Sequence, residues 1–250
     1  MTKEKGTGSA TDRYANKRRP AGISIIYEDK DVVVVEKPCG LLTMGTDRDK
    51  TRTVHNILND YVRKGDPRSR NRIYIVHRLD KETSGILVFA KSEQSKIFLQ
   101  GHWEDTDKSY LAVVHGSPSP KEGLISSYLA ENSAFSVYST ADPAQGKLSS
   151  TEYFVRKETK GFSLLEIHLL TGRKHQIRVH LSEKGHPVVG DRKYGKGSDC
   201  SATLALHARS LSFTHPGTGK RMSFTTGVPD SIIRLVGPIG ADLDSKGVIR

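Results

Sequence analysis

The chain has 250 residues, of which 39 are Lys or Arg and 28 are Asp or Glu, so its formal net charge is +11. Hydrophobic residues make up 35% of it, but no apolar run approaches the roughly 18 residues that a membrane-spanning helix needs. These values exclude a membrane-spanning helix and favour a globular domain that binds a polyanion, most often a nucleic acid.

The N-terminal segment, residues 1–20, is predicted to be a flexible basic arm. It has almost no bulky apolar side chains, so it cannot bury enough surface to fold alone. The arm either contacts a polyanion or is a tail without a role. It contains no apolar secretion signal, and Cys39 and Cys200 lack metal-site spacing. We therefore expect a reducing, cytoplasmic location and no disulfide.

The remaining elements are predicted from hydrophobic periodicity, in chain order. Apolar runs at 23–27 and 32–35 flank a polar turn and predict a hairpin. An apolar stripe over 53–62 predicts a helix that Gly65 ends. Further strands are predicted at 73–76, 86–90, 109–115, 123–129, 135–140, 148–156, 162–170, 204–213 and 221–226, and helices at 93–103 with Ser92 as its cap, at 174–184, and after Asp230.

Many hairpin-linked strands with a few inserted helices predict a mixed, mostly antiparallel α+β fold. No internal repeat and no glycine–serine linker interrupts residues 21–237. We therefore predict one compact domain over 21–237 and a C-terminal tail over 238–250.

The loop at 77–85, between two apolar strands, has the pattern most typical of a catalytic segment. Asp80 stands there between Arg78 and Lys81. Positive neighbours favour an ionised carboxylate, which suits a nucleophile or a base better than a general acid. Residues 83–85 are expected to form a tight turn that fixes its position. An ordinary surface salt-bridge loop is the alternative interpretation.

The sequence HRLDKETSGIL at 77–87 closely resembles the signature of the RluA-type pseudouridine synthases. The resemblance covers about 23–226 and implies the family's sheet with a central active-site cleft. Many members begin with an S4-type RNA-binding domain, which we do not expect here. Further segments that resemble the family, in the same order, are EKPCGL at 36–41, KSYLAVV at 108–114, TGRKHQIRVHL at 171–181, HPVVGD at 186–191 and LHA at 206–208.

The resemblance implies an enzyme that isomerises uridine to pseudouridine in structured RNA, either ribosomal RNA, transfer RNA or both. The family reaction breaks the N1–C1′ bond, turns the uracil and rejoins it through C5. Because isomerisation changes neither redox state nor composition, we expect no metal and no organic cofactor. We also expect a monomer that does not bind membranes.

Three residues match the catalytic positions of the family. Asp80 would attack C1′ or remove the C2′ proton to give a glycal, and both routes stay open. Tyr110 would stack on the flipped uracil, and its hydroxyl could reach the C5 proton. Arg178 would pair with Asp80, and a bidentate pair would aim the carboxylate.

A second set of residues is predicted to contact RNA. Arg78 could fill the space that the flipped uridine leaves or hold the adjacent phosphate, whereas His77 is interpreted as a hydrogen-bonded turn histidine. Two basic groups are expected to form a phosphate-binding rim around the pocket. The predicted RNA contacts are Arg78, Lys108, Arg173, Lys174 and His175, and the rim consists of Arg63, Lys64, Arg68, Arg70 and Arg72 with Lys184, Arg192, Lys193 and Lys196.

Two other classes of function were weighed. A metal-dependent nuclease is disfavoured because no metal-ligand spacing occurs, and His175 and His180, five residues apart, would not share a helix face. A non-catalytic RNA-binding or ribosome-assembly module is the stronger alternative. The presence of Asp80, Tyr110 and Arg178 together argues against it.

Overall fold

The structure is a computed structural model that describes residues 20–45, 52–195, 203–240, 243 and 246–249. Residues 1–19 of the predicted arm lie outside these ranges, as do Lys196 and Cys200. Within the described residues, no helix combines the length and the apolar character needed to cross a membrane.

The fold is built on one large sheet. The order of its strands is β1-β2-β4-β10-β5-β9-β8-β6-β7, with β3 on β4, β11 on β10 and β12 on β11. The strands are β1 (Ser24–Glu28), β2 (Val32–Lys37), β3 (Tyr74–Ile75), β4 (Ser84–Ala90), β5 (Asp107–His115), β6 (Glu122–Glu131), β7 (Val137–Thr140), β8 (Lys147–Thr159), β9 (Phe162–Leu169), β10 (Leu206–Thr214), β11 (Arg221–Thr225) and β12 (Gly247–Ile249). The helices are α1 (Val54–Arg63), α2 (Glu93–Gly101), α3 (Gln176–Glu183) and α4 (Asp230–Val236).

Neighbouring strands are antiparallel except for β4 and β10, which run parallel, so the predicted mixed, mostly antiparallel sheet is confirmed. In the parallel pair, Ala208 lies opposite Gly85. A Cβ on Gly85 would lie 2.2 Å from the carbonyl oxygen of Ala208, and its φ is +117°. Only glycine therefore allows β4 and β10 to approach this closely.

The element boundaries follow the sequence pattern closely. Thr53 caps α1 and Ser92 caps α2 through side chains that accept a backbone N–H, and Lys64, with a φ of 54°, ends α1 one residue before the predicted Gly65. Each of β1 to β11 overlaps a predicted strand. Strand β12 was not predicted, and it pairs with β11 inside the segment expected to be a tail.

The two faces of β4 contact different parts of the core because its side chains alternate. Leu87 and Phe89 join the cluster that contains α1, whereas Ile86 and Val88 join the cluster that contains α2. Tyr110 of β5 packs against the α1 cluster. The α1 side of the sheet is therefore the side on which Tyr110 lies.

Candidate active site

The loop that carries Asp80 rests on the segment that follows β2. The fully buried ammonium group of Lys37 donates to the carbonyl oxygens of Pro38 (3.1 Å), Leu41 (2.7 Å) and Lys81 (3.0 Å). Burial lowers the pKa of Lys37 to about 8. One side chain thus ties the 37–41 segment to the residue after Asp80.

A buried threonine fixes the other side of Asp80. The hydroxyl of Thr43 donates to the carbonyl of Leu79 (2.9 Å) and accepts the backbone N–H of the same residue (3.2 Å). The backbone N–H of Thr83 closes a turn onto the carbonyl of Asp80 (3.2 Å). The predicted turn at 83–85 is therefore wrong by a few residues: the turn spans 80–83, and Ser84 already begins β4.

Arg178 of α3 contacts two carboxylates in different ways. Its Nη1 donates one hydrogen bond to Oδ2 of Asp80 (3.2 Å). Its Nε and Nη2 donate to the two oxygens of Asp191, both at 2.8 Å. The predicted pair with Asp80 forms, but the bidentate partner is Asp191, whose side chain is fully buried. Asp191 thus fixes the guanidinium, and the guanidinium directs one N–H at Asp80.

The electrostatics of this triad follow from burial and charge. Burial alone would lower the pKa of Arg178, but its hydrogen bonds and attraction to Asp191 and Asp80 raise that pKa above its ordinary value. Burial would likewise raise the pKa of Asp191, but hydrogen bonds from Arg178 hold it below its ordinary value. Both groups of the buried pair therefore stay ionised at neutral pH.

His175 approaches Asp80 from the start of α3. Its Nε2 lies 3.7 Å from Oδ2 of Asp80, and its Nδ1 lies 2.7 Å from the hydroxyl of Tyr194. That hydroxyl accepts the backbone N–H of Val137 (3.0 Å), so its own proton is best used as a donor to Nδ1. This arrangement places the imidazole proton on Nε2, facing Asp80. Burial lowers the pKa of His175, opposed by the charge of Asp80.

The left-handed backbone of His175 also explains why α3 begins two residues later than predicted. Because the φ of His175 is 54°, which is not helical, the first residue of α3 is Gln176. The side-chain oxygen of Gln176 accepts the backbone N–H of Arg173 (3.0 Å) and the hydroxyl proton of Thr171 (2.8 Å). A non-glycine residue is uncommon in this conformation, and His175 adopts it with its Nε2 3.7 Å from Asp80.

Tyr110 completes the site from β5. It lies opposite Ala208 of β10, which in turn lies opposite Gly85, so one row across three strands ends beside the loop of Asp80. Burial, together with the charge of Asp80, raises the pKa of Tyr110 far above its ordinary value. Its hydroxyl is therefore protonated at neutral pH.

These groups surround a cavity of about 90 Å³. Both partners of Asp80 contact its Oδ2, and no hydrogen bond to Oδ1 is formed within the described ranges. The Asp80 side chain is 26% exposed and lines the cavity. The sequence-predicted residues that line the cavity are Arg78, Asp80, Tyr110, Arg173, His175 and Arg178.

The predicted RNA contacts divide into two groups. Arg78 and Arg173 are exposed at the mouth of the cavity. Lys174 instead pairs with Glu131, and Lys108 lies over the ring of Trp103 at 5.7 Å; neither lines the cavity.

Sequence reasoning missed the roles of Asp191 and Tyr194. The segment HPVVGD at 186–191 contains Asp191 and was noted as a resemblance, but no role was attached to it. Tyr194 follows Asp191 by three residues, and its backbone N–H donates to Oδ1 of that aspartate (3.0 Å). The acidic residue at the end of this segment was the one sequence feature that could have indicated an ion-pair partner for Arg178.

Two other histidines are explained by structure. His77 accepts the backbone N–H of Val88 (3.1 Å), which confirms that it is hydrogen-bonded, and burial lowers its pKa to about 3. His215, Asp29 and Asp31 each offer one atom that could bind a metal ion, and these atoms lie within 4.8 Å of one another. Its Nδ1 accepts the N–H groups of the following turn, so its Nε2 is a donor to Asp29 (2.8 Å).

Comparison with known proteins places this site in context. A family model described as RNA pseudouridylate synthase matches residues 31–183. An uncharacterized RNA pseudouridine synthase of Aquifex aeolicus is 36% identical over an alignment of 230 positions, which covers 84% of this chain and 70% of that protein. Ribosomal large subunit pseudouridine synthase D of Neisseria meningitidis is 36% identical over an alignment of 244 positions, which covers 91% of this chain and 64% of that protein.

The sheet is also found among solved structures. The human RNA pseudouridylate synthase domain containing 4 matches with a TM-score of 0.70 at 24% sequence identity, covering 84% of this chain and 90% of that one. At this identity the match concerns the fold, which agrees with the mixed sheet described above.

Proposed function

The chain belongs to the RNA pseudouridylate synthase family, an isomerase family that acts on RNA, and we propose that Asp80 is the carboxylate with which it converts uridine to pseudouridine. The observation that carries the proposal is the division of the Asp80 oxygens. Arg178 and His175 approach Oδ2, whereas Oδ1 accepts no hydrogen bond from a described residue, and the side chain lines the cavity together with Tyr110.

The arrangement suits both chemical routes. In each route the N1–C1′ bond is exchanged for a C5–C1′ bond, the C5 proton leaves and N1 gains a proton. An ionised Asp80 could use Oδ1 to attack C1′ or to take the C2′ proton. The N–H groups of Arg178 and His175 would hold the other oxygen, which orients the carboxylate and leaves one oxygen for the ribose.

Tyr110 would act beside the base. A uridine must leave its stack to reach Asp80, and an aromatic ring is a suitable surface for the flipped uracil. Because its hydroxyl is protonated at neutral pH, its direct roles are stacking and hydrogen-bond donation. It could accept the C5 proton only while passing its own proton on.

The relatives help to choose between the candidate classes of RNA substrate. The Neisseria relative is named for the large ribosomal subunit, which favours ribosomal RNA as the substrate, with transfer RNA as the second candidate. The exposed arginines Arg78 and Arg173 would hold phosphates at the mouth of the cavity. We propose a monomer that acts in the cytoplasm.

The experiment compares Asp80→Asn with Glu82→Gln, a matched change of an exposed carboxylate two residues away. RNA from cells lacking the gene would be mapped chemically for pseudouridine after each variant is supplied. We expect Glu82→Gln to restore the wild-type sites and Asp80→Asn to restore none. Pseudouridine formed by Asp80→Asn at the wild-type sites would overturn the role of Asp80.

A further inference from the structure

A second concave site, which we call the α1 cleft, lies between α1 and the chain that enters β3. Its volume is about 760 Å³, much larger than the cavity at Asp80. Its walls are partly apolar and carry two guanidinium groups and one carboxylate. The polar residues that define it are Asn56, Asn59, Asp60, Arg63 and Arg72.

The cleft is held in shape by hydrogen bonds across it. Oδ1 of Asn59 accepts the backbone N–H of Ile73 (3.0 Å), and the His55 ring bonds the carbonyl of the same residue (2.9 Å). These bonds fasten the entry to β3 onto α1. A ligand would therefore meet a site that is already formed.

The cleft carries the guanidinium groups of Arg63 and Arg72 and the carboxylate of Asp60, so its net charge is positive. Arg72 donates to the carbonyls of Ser69 and Asn71, which fix the guanidinium without cancelling its charge. Arg68 and Arg70 are exposed, and in the described part of the chain neither they nor Arg72 pair with a carboxylate. Fixed guanidinium groups are suited to phosphate oxygens.

The position of the cleft can be read from the register of β4. Tyr74, on its wall, pairs with Ala90, whereas the row of the catalytic cavity crosses β4 at Gly85. Five strand residues separate the two, which is about 17 Å along the strand. Tyr74 itself packs on the α2 side, but α1 and Ile73 pack on the sheet face on which Tyr110 lies, so the α1 wall of the cleft shares that face with the cavity.

We infer that the α1 cleft binds the phosphate backbone of the same RNA, about 17 Å from the flipped uridine. The inference rests on the proposed function, because it takes the occupant of the cavity to be RNA. The cleft would supply affinity and orientation but no chemistry, as phosphate contacts generally do. Its contribution should therefore depend on salt and should disappear from the rate of the bound complex.

The test uses the variant Arg70→Gln/Arg72→Gln: Arg72 lines the cleft, Arg70 lies two residues before it, and both side chains are exposed. Binding of a fluorescent RNA stem–loop would be followed by anisotropy over a range of salt concentrations. Two lost phosphate contacts should flatten the log–log salt slope by about 1.4 to 1.8 and weaken binding roughly tenfold at moderate salt. Tritium release from RNA labelled at uridine C5 should proceed at the wild-type single-turnover rate when RNA is saturating.

Two further variants make the result specific. Lys96→Gln/Lys160→Gln removes the same charge from α2, on the opposite face, and from the β8–β9 turn, and its salt slope should equal that of wild type. Arg70→Lys/Arg72→Lys keeps the charge and should retain most of the slope. A Gln variant that binds like the charge-matched control would overturn the inference. Failure of wild type to release tritium would instead count against the proposed function, since the binding comparison does not depend on it.

Discussion

Of the two carboxylates that Arg178 contacts, we expect Asp191 to matter for the stability of the fold and Asp80 mainly for turnover. Asp191 is fully buried and bidentate, and it also accepts the backbone N–H groups of Lys193 and Tyr194 at 2.9 and 3.0 Å. In Asp191→Asn the new amide N–H₂ is a donor, and it must face another donor, either the guanidinium or one of these backbone N–H groups. Breaking a buried ion pair in this way costs about 3 to 5 kcal/mol, a large share of the roughly 5 to 15 kcal/mol that stabilises a typical domain.

Asp80→Asn should behave differently. The Asp80 side chain is 26% exposed and receives one hydrogen bond from Arg178, at 3.2 Å. Removing its charge should change the free energy of unfolding by less than about 1 kcal/mol. The same change should abolish turnover, because the anionic oxygen at the cavity is lost.

The assay is urea unfolding of wild type, Asp191→Asn and Asp80→Asn, each combined with tritium release at a temperature where all three are folded. We expect Asp191→Asn to lose both stability and rate, since a freed Arg178 no longer directs its N–H at Asp80. Equal unfolding midpoints for Asp191→Asn and wild type would refute the view that this pair anchors the site. A stability loss for Asp80→Asn as large as that for Asp191→Asn would assign Asp80 a structural role.

Three further changes test the site and its support. Tyr110→Phe should leave RNA affinity near wild type but slow product formation strongly, and an unchanged rate would reduce Tyr110 to a stacking surface. Burial lowers the pKa of His207 from 6.5 to about 4. Between these pH values the unfolded chain protonates His207 and the folded chain does not, so the free energy of unfolding falls by about 3 kcal/mol as the pH falls from 6.5 to 4. His207→Gln should show a correspondingly flatter curve of unfolding free energy against pH. Gly85→Ala should lower the melting temperature severely, because the Cβ meets the Ala208 carbonyl, whereas Gly161→Ala, with open space at its Cβ, should cost only about 1 kcal/mol of backbone strain.

The fold was largely predictable because its pattern is local. The β1–β2 hairpin shows short apolar runs on both strands, the β8–β9 hairpin shows apolar alternation, and α1 and α2 show capping residues at their starts. The start of α3 was not predictable. His175 adopts a left-handed conformation that a helical pattern does not encode, and its ring contacts Tyr194 and Asp80, which are both distant in sequence.

The site was predictable in its members but not in its connections. The resemblance placed Asp80, Tyr110 and Arg178, and the structure brings all three to one cavity. The resemblance did not indicate which carboxylate Arg178 would hold with two hydrogen bonds, because Asp80 and Asp191 are both aspartates and the sequence does not show which is buried. The difference arises from burial: Asp191 is enclosed beneath α3, whereas Asp80 ends a turn at the cavity.

The position of Asp80 is therefore fixed through its backbone, and its carboxylate is left partly unengaged. Lys37 bonds the carbonyl of Lys81, Thr43 bonds both backbone groups of Leu79, and neither touches the Asp80 side chain. A carboxylate held by several strong side-chain partners would be rigid but chemically occupied. Fixing the chain on both sides of Asp80 gives the rigidity without that occupation, so that Arg178 orients Oδ2 while Oδ1 keeps no hydrogen-bond partner among the described residues. The buried lysine and threonine of the 37–43 segment therefore position the loop of Asp80 without lining the cavity themselves.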